Sequence, residues 1–179
     1  MENINSNEVS KMKGAMFALC EITQMCQYNY SDEFNYSLDN KKQALNSVIM
    51  YFEAPVRNII TNLAATYTTA DMRDFNDPTH QNAAELLLQG FNFVRHSSKV
   101  DIPEYFLKNE EALTIWLNIF KAVINKPLFE KEGAGFTDAL AKGDTWWKIK
   151  SSVAKIVWNM LMKITNKKDN NYILPIAEK

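Results

Sequence analysis

The chain is poor in the residues that staple, break or power a protein. Its 179 residues include only two cysteines, two histidines, five glycines and five prolines. Cys20 and Cys26 lie six apart on one expected helix, on different faces, which speaks against a disulfide between them. Two cysteines do not make a zinc site either, so both read as small buried apolar side chains. With so little Gly and Pro, few turns of special dihedral angle are needed, and long helices are favoured. Net charge is −1, so no global field calls for nucleic acid or an acidic membrane. No stretch approaches the roughly 18 uncharged apolar residues of a membrane span. The opening MENINSNEVSKMKG lacks the apolar core of a signal peptide, giving an expected location in cytoplasm and nucleus. Without a secretory signal, the glycosylation triplets at Asn29 and Asn35 read as chance matches.

Catalytic patterns are missing as well. No HExxH, GxSxG, GxGxxG or phosphate-loop pattern occurs. His80 falls in an expected first turn and His96 in an expected last turn, where a protonated imidazole suits the helix dipole. Asp71, Asp74 and Asp77 lack the Gly and closing Glu of a calcium loop and read as caps and solvated carboxylates. Gly133-Ala134-Gly135 leads to no strand–helix unit and reads as a linker. The expectation is therefore no enzyme, no catalytic or metal-binding residues and no cofactor.

What is present is helical periodicity. Apolar residues make up 46% and charged residues 23%, ordinary for one soluble globular domain. Five helices are expected. The first runs from about Glu8 to Tyr28, with Met12, Met16, Leu19, Cys20, Ile22 and Cys26 on its apolar side. The second runs from about Lys41 to Tyr67 and contains Pro55, which is expected to bend or break it near Phe52 to Ala54. Asp77-Pro78 starts the third, which reaches about His96. A connector with a small turn or helix near Asp101 to Glu104 leads to the fourth, about Asn109 to Asn125. That helix is apolar almost all round, with a polar strip of Thr114, Asn118, Lys121 and Asn125, and should be packed on several sides. After a loop with three of the five glycines comes the fifth helix, Asp144 to about Ile164. Its apolar stripe is Trp146, Ile149, Val153, Ile156, Val157, Met160 and Ile164. Lys148, Lys150, Lys155, Lys163, Lys167 and Lys168 give this end a basic bias, which reads as a solvated face or as a site for acidic partner segments or nucleic acid.

No strand is convincing. Helices one, three and five start near 8, 78 and 145, and helices two and four near 41 and 109. A two-helix unit thus recurs every 65 to 70 residues, longer than the usual period of about 40 to 47 in HEAT repeats. The fold expected is all-α, an α-solenoid of antiparallel helix pairs covering 1–179 as one segment. Its pairs are about 8–67 and 78–125, with an unpaired outer helix at about 145–166.

Three segments carry a resemblance: YFEAPVRNIITNL (51–63), VDIPEYFLKNEEALTIWLNIFKAVINKP (100–127) and DTWWKIKSSVAKIVWNML (144–161). In order and spacing they resemble the HEAT-repeat region of importin-beta-like karyopherins, closest to the importin seven and eight branch. The match covers about Lys13 to Asn166, some two and a half repeats. Thr145 stands where the family has Pro before Trp-Trp-Lys, and the loop before it is less acidic than the family's. The resemblance implies outer helices one, three and five, inner helices two and four, and a role in nuclear protein transport. Implied partners are the GTPase Ran, nucleoporin Phe-Gly repeats and cargo proteins. It also implies partner-facing Arg57, Asn62, Asn118 and Lys121 on the inner helices. A Phe-Gly groove between helices three and five would have Trp147 as a wall; by their helical spacing alone, Trp146 and Trp147 read as core packing.

Two other expectations follow from the residues. A stand-alone helical bundle with a small-molecule or enzymatic site is the alternative, with Tyr105, Trp116 and Phe120 lining a pocket. An uncapped solenoid end exposes apolar surface, so self-association, or a tail folded over Trp158 and Met162, is expected.

Overall fold

Helix-compatible periodicity becomes helices in the computed structural model, which describes residues 9–26, 38–69, 78–100, 104–126 and 145–166; among these described residues there are six. They are α1 (Val9–Met25), α2 (Leu38–Thr69), α3 (Pro78–Val100), the short α4 (Glu104–Lys108), α5 (Glu110–Asn125) and α6 (Thr145–Asn166). The chain is all-helical, with no strand among the described residues. The first three expected helices correspond to α1 to α3, the fourth to α5 and the fifth to α6.

Each helix buries one stripe at three- and four-residue spacing. On α1 it is Met16, Leu19, Cys20 and Thr23; on α5, Ala112, Leu113, Trp116, Ile119, Phe120 and Val123. On α6 it is Ile149, Ser152, Val153, Ile156 and Met160. The expected break at Pro55 does not occur. α2 is one helix of 32 residues with Pro55 inside it. Its stripe of Leu45, Ile49, Val56, Ile60 and Ala64 is buried on both sides of the proline, and that burial outweighs the one missing hydrogen bond.

α3 is the hub, packed on α1, α2 and α6, and α2 packs on α5. Gly90 marks the closest approach. A Cβ there would lie 2.1 Å from Ile60 Cδ1 of α2 and 3.2 Å from Met16 Cε of α1. The pairings between α1, α3 and α6 show their directions. Lys13 donates to Asn82 Oδ1 and the Cys20 thiol to the Gln89 carbonyl, both 69 residues away. Ser152 donates to Asn92 Oδ1, and Asn159 Nδ2 to Ser98 Oγ, 60 and 61 residues away. Constant offsets mean parallel helices. α1, α3 and α6 therefore lie side by side in one parallel row, with α2 and α5 packed against each other beside it.

Candidate functional site

Two outward surfaces and one buried polar cluster hold the residues of interest. On α5, Asn118 and Lys121 are exposed, on the side of the helix away from Trp116 and Phe120. Glu110 and Glu111 stand exposed at its start, where carboxylates favour the helix dipole. Asn109 caps this end, its Oδ1 accepting from Ala112 N–H at 3.0 Å. The polar strip of α5 thus faces solvent, and the helix is not enclosed all round; Ile124 beside it is exposed too. On α2, Asn62 is exposed, and Met50 and Tyr51 expose more than half of their surface.

Arg57 is placed differently from Asn62, Asn118 and Lys121. It turns inward, and its Nε donates to Glu53 Oε1 at 2.8 Å. Glu53 is fully buried, and the same oxygen accepts from Trp116 Nε1 at 2.8 Å, across from α2 to α5. Glu53 Oε2 has no hydrogen-bond partner. The Tyr105 hydroxyl of α4 lies beside this carboxylate; burial, and then Glu53, push its pKa up. Asn109 Nδ2 donates to the Tyr105 hydroxyl oxygen at 3.1 Å. One charged cluster therefore ties α2, α4 and α5 together. Trp116 and Phe120 are buried against each other, ring centroids 5.8 Å apart, and Phe120 also meets Phe91 of α3 at 6.1 Å.

On α6, Trp147 and Trp158 are exposed, with Leu161 and Met162 beyond them. Trp147 lies two residues from Ile149, at the azimuth opposite the buried stripe. Lys150 takes a structural place, its ammonium donating to the Ile124 carbonyl at 2.8 Å and to that of Lys126. These carbonyls end α5, where a cation is favoured, and burial lowers the Lys150 pKa. The side chain of Trp146, the cap Asp144, the tail beyond Asn166 and the Asp71–Asp77 linker lie outside the described residues.

Buried hydroxyls of the parallel row are satisfied within their own helices at Thr23 and Ser97, and the Cys20 thiol bonds across to α3. Thr23 and Ser97 bond back to carbonyls one turn earlier. Cys20 is buried, which raises its thiol to about 12. His96 is not the surface, dipole-facing residue expected. α3 continues to Val100, His96 is buried, and burial, Arg95 and Lys99 lower its pKa to about 4. Its imidazole is neutral at pH 7. No group of three His, Cys, Asp or Glu side chains able to hold a metal occurs among the described residues. No helix among them is long and apolar enough to cross a membrane.

The structure therefore brings Asn118 and Lys121 onto one exposed face, leaves Asn62 and Trp147 exposed on their own helices, and turns Arg57 into a buried cluster. Sequence reasoning missed Glu53. The signal was its place in the Ile49–Glu53–Val56–Ile60 stripe, with Arg57 one turn on. No protein-family model, curated protein or solved structure matches this chain.

Proposed function

We propose that the chain is a segment of a HEAT-like α-solenoid that serves as a protein-binding scaffold, and that it works in nuclear transport as an importin-like receptor. The observation that carries the solenoid reading is the parallel row α1, α3, α6, with lateral pairings at offsets of 69 and then 60 to 61 residues. A helix pair repeated along a stack produces such near-constant offsets, and each unit then touches mainly its neighbours. The second row, α2 on α5, supports the same repeat. The transport reading rests on the three sequence segments alone. In it, the exposed Asn118 and Lys121 and the exposed Asn62 contact Ran or cargo, and Arg57 positions the inner helices through Glu53. Trp147 borders the Phe-Gly site, and the cytoplasm and nucleus are the working compartments.

The test is binding of the full chain to GTP-loaded Ran and to a Phe-Gly repeat peptide, followed by titration calorimetry. Binding to either, weakened by Lys121→Glu or Trp147→Ala with helicity unchanged, supports the transport reading. A folded sample that binds neither refutes it and leaves the scaffold reading standing.

A further inference from the structure

We propose that the outward face of α6 is a docking seat for an acidic amphipathic helix of a partner protein. This goes beyond the transport reading and does not depend on it. Opposite the buried stripe, Trp147, Ser151, Ala154, Trp158 and Leu161 follow one another at spacings of four, three, four and three. That is the heptad register with which one helix seats another side by side. Trp147 is 46% and Trp158 63% exposed, and the small Ser151 and Ala154 between them leave room for a partner's side chains. From Trp147 to Leu161 the seam runs 14 helical rises, about 21 Å, the length of two heptads.

Charge selects the occupant. α6 carries Lys148, Lys150, Lys155 and Lys163 and no acidic residue. Lys150 is engaged at the end of α5. Lys148 and Lys155 are exposed and seven residues apart, so they form a row along one edge of the seam, and no carboxylate among the described residues pairs with either. A helix with apolar a and d positions and glutamates along the matching edge satisfies both features. A second copy does not. A two-fold antiparallel pairing of α6 with α6 sets lysine row against lysine row. Residues 167–179 hold Lys167, Lys168 and Lys179 against Asp169 and Glu178, so this chain's own end is not acidic.

The experiment uses the full chain and two labelled 21-residue peptides, one with Leu at a and d and Glu at e and g, the other with Lys in place of Glu. Fluorescence anisotropy should show binding of the Glu peptide at least tenfold tighter than the Lys peptide, weakening as salt rises. Trp158→Ala, at an exposed site, should weaken the Glu peptide about 30-fold, as a central aromatic anchor does. Lys148→Glu with Lys155→Glu should reverse the preference between peptides. Equal binding of the two peptides, or indifference to Trp158→Ala, overturns the proposal. So does a dimer by sedimentation that Trp158→Ala makes monomeric, which assigns the face to a second copy. Amide protection of residues 170–176 that Trp158→Ala abolishes also overturns it, since this chain's own end then holds the face.

Discussion

Replacing Glu53 with alanine is expected to destabilise the chain by about 3–5 kcal/mol, the cost of breaking a buried ion pair from one side. The carboxylate is fully buried, and its Oε1 accepts from both Arg57 Nε and Trp116 Nε1 at 2.8 Å. Truncation strands the indole N–H of a fully buried Trp116, about 1–3 kcal/mol by itself. It also leaves the Arg57 guanidinium without its anion, although 18% exposure of that side chain lets water soften this part. The lost Cγ methylene of Glu53 adds a packing term of about 0.8 kcal/mol. The parts agree with the total.

Arg57→Leu tests the other side. It leaves a buried carboxylate supported by one indole N–H and should cost as much as Glu53→Ala. The double replacement Glu53→Leu with Arg57→Leu removes both charges and leaves only the indole N–H unpaired, so it should cost about 1–3 kcal/mol, less than either single change. Urea unfolding followed by far-ultraviolet circular dichroism reads all three, and in a thermal scan each kcal/mol is worth about 2–4 °C in Tm at this chain length. Were Glu53→Ala to cost under about 1 kcal/mol, or the double variant to cost more than Arg57→Leu alone, the cluster would not be the bond between α2 and α5.

Gly90→Ala should lose about 1–2 kcal/mol net in urea unfolding. The Cβ, 2.1 Å from Ile60 Cδ1, overpacks the crossing by about 1–3 kcal/mol, against a helix-propensity gain of up to about 1. A stabilised variant would refute the close approach of α2 and α3. For His96, the folded pKa of about 4 lies below its ordinary 6.5, so between those values the unfolded chain binds more protons. Stability should therefore rise from pH 4 to 6.5 and level off above, and His96→Gln should flatten that limb in pH-resolved unfolding. Lys150→Met removes the cation at the end of α5 and should cost about 0.5–2 kcal/mol, with faster amide exchange at Val123 to Lys126. Unchanged exchange there would show that α6 does not cap α5.

The helices were legible because the 3.6-residue period is local. α6 and α5 lie where the apolar spacing puts them, and the small turn or helix expected to start at Asp101 to Glu104 corresponds to the short helix α4, Glu104–Lys108. Pro55 does not break α2 because its penalty is also local, whereas the burial that overrides it comes from α3 and α5. His96 was misread for a related reason. A helix ending at His96 would leave the ring at a solvated terminus, but α3 runs on to Val100 and neighbouring helices bury it. Among the candidate site residues, Asn118 and Lys121 needed only the helical wheel to be placed outside. Arg57 looked equally polar on that wheel, and only its buried partner one turn earlier turns it inward.

The two ends of the parallel row differ in chemistry. In the middle, α3 is gripped from both sides: α1 covers it at Gly90 and Gln89, and α6 at Asn92 and Ser98. Its two flanking helices each turn one stripe to α3 and a second face outward. On α1 that face holds Phe17, Glu21, Ile22 and Met25, with Gly14 open beside them; on α6 it holds two tryptophans edged by lysines. Were outward apolar side chains mere spill-over from a wide stripe, they would sit at its margins. Trp158 instead lies diametrically opposite Ile149, nine residues and two and a half turns away. A tryptophan at that azimuth adds nothing to the α3 contact. Its place in a second, heptad-spaced seam is what a helix needs when it is packed from two sides, by α3 within the chain and by a partner helix across from it.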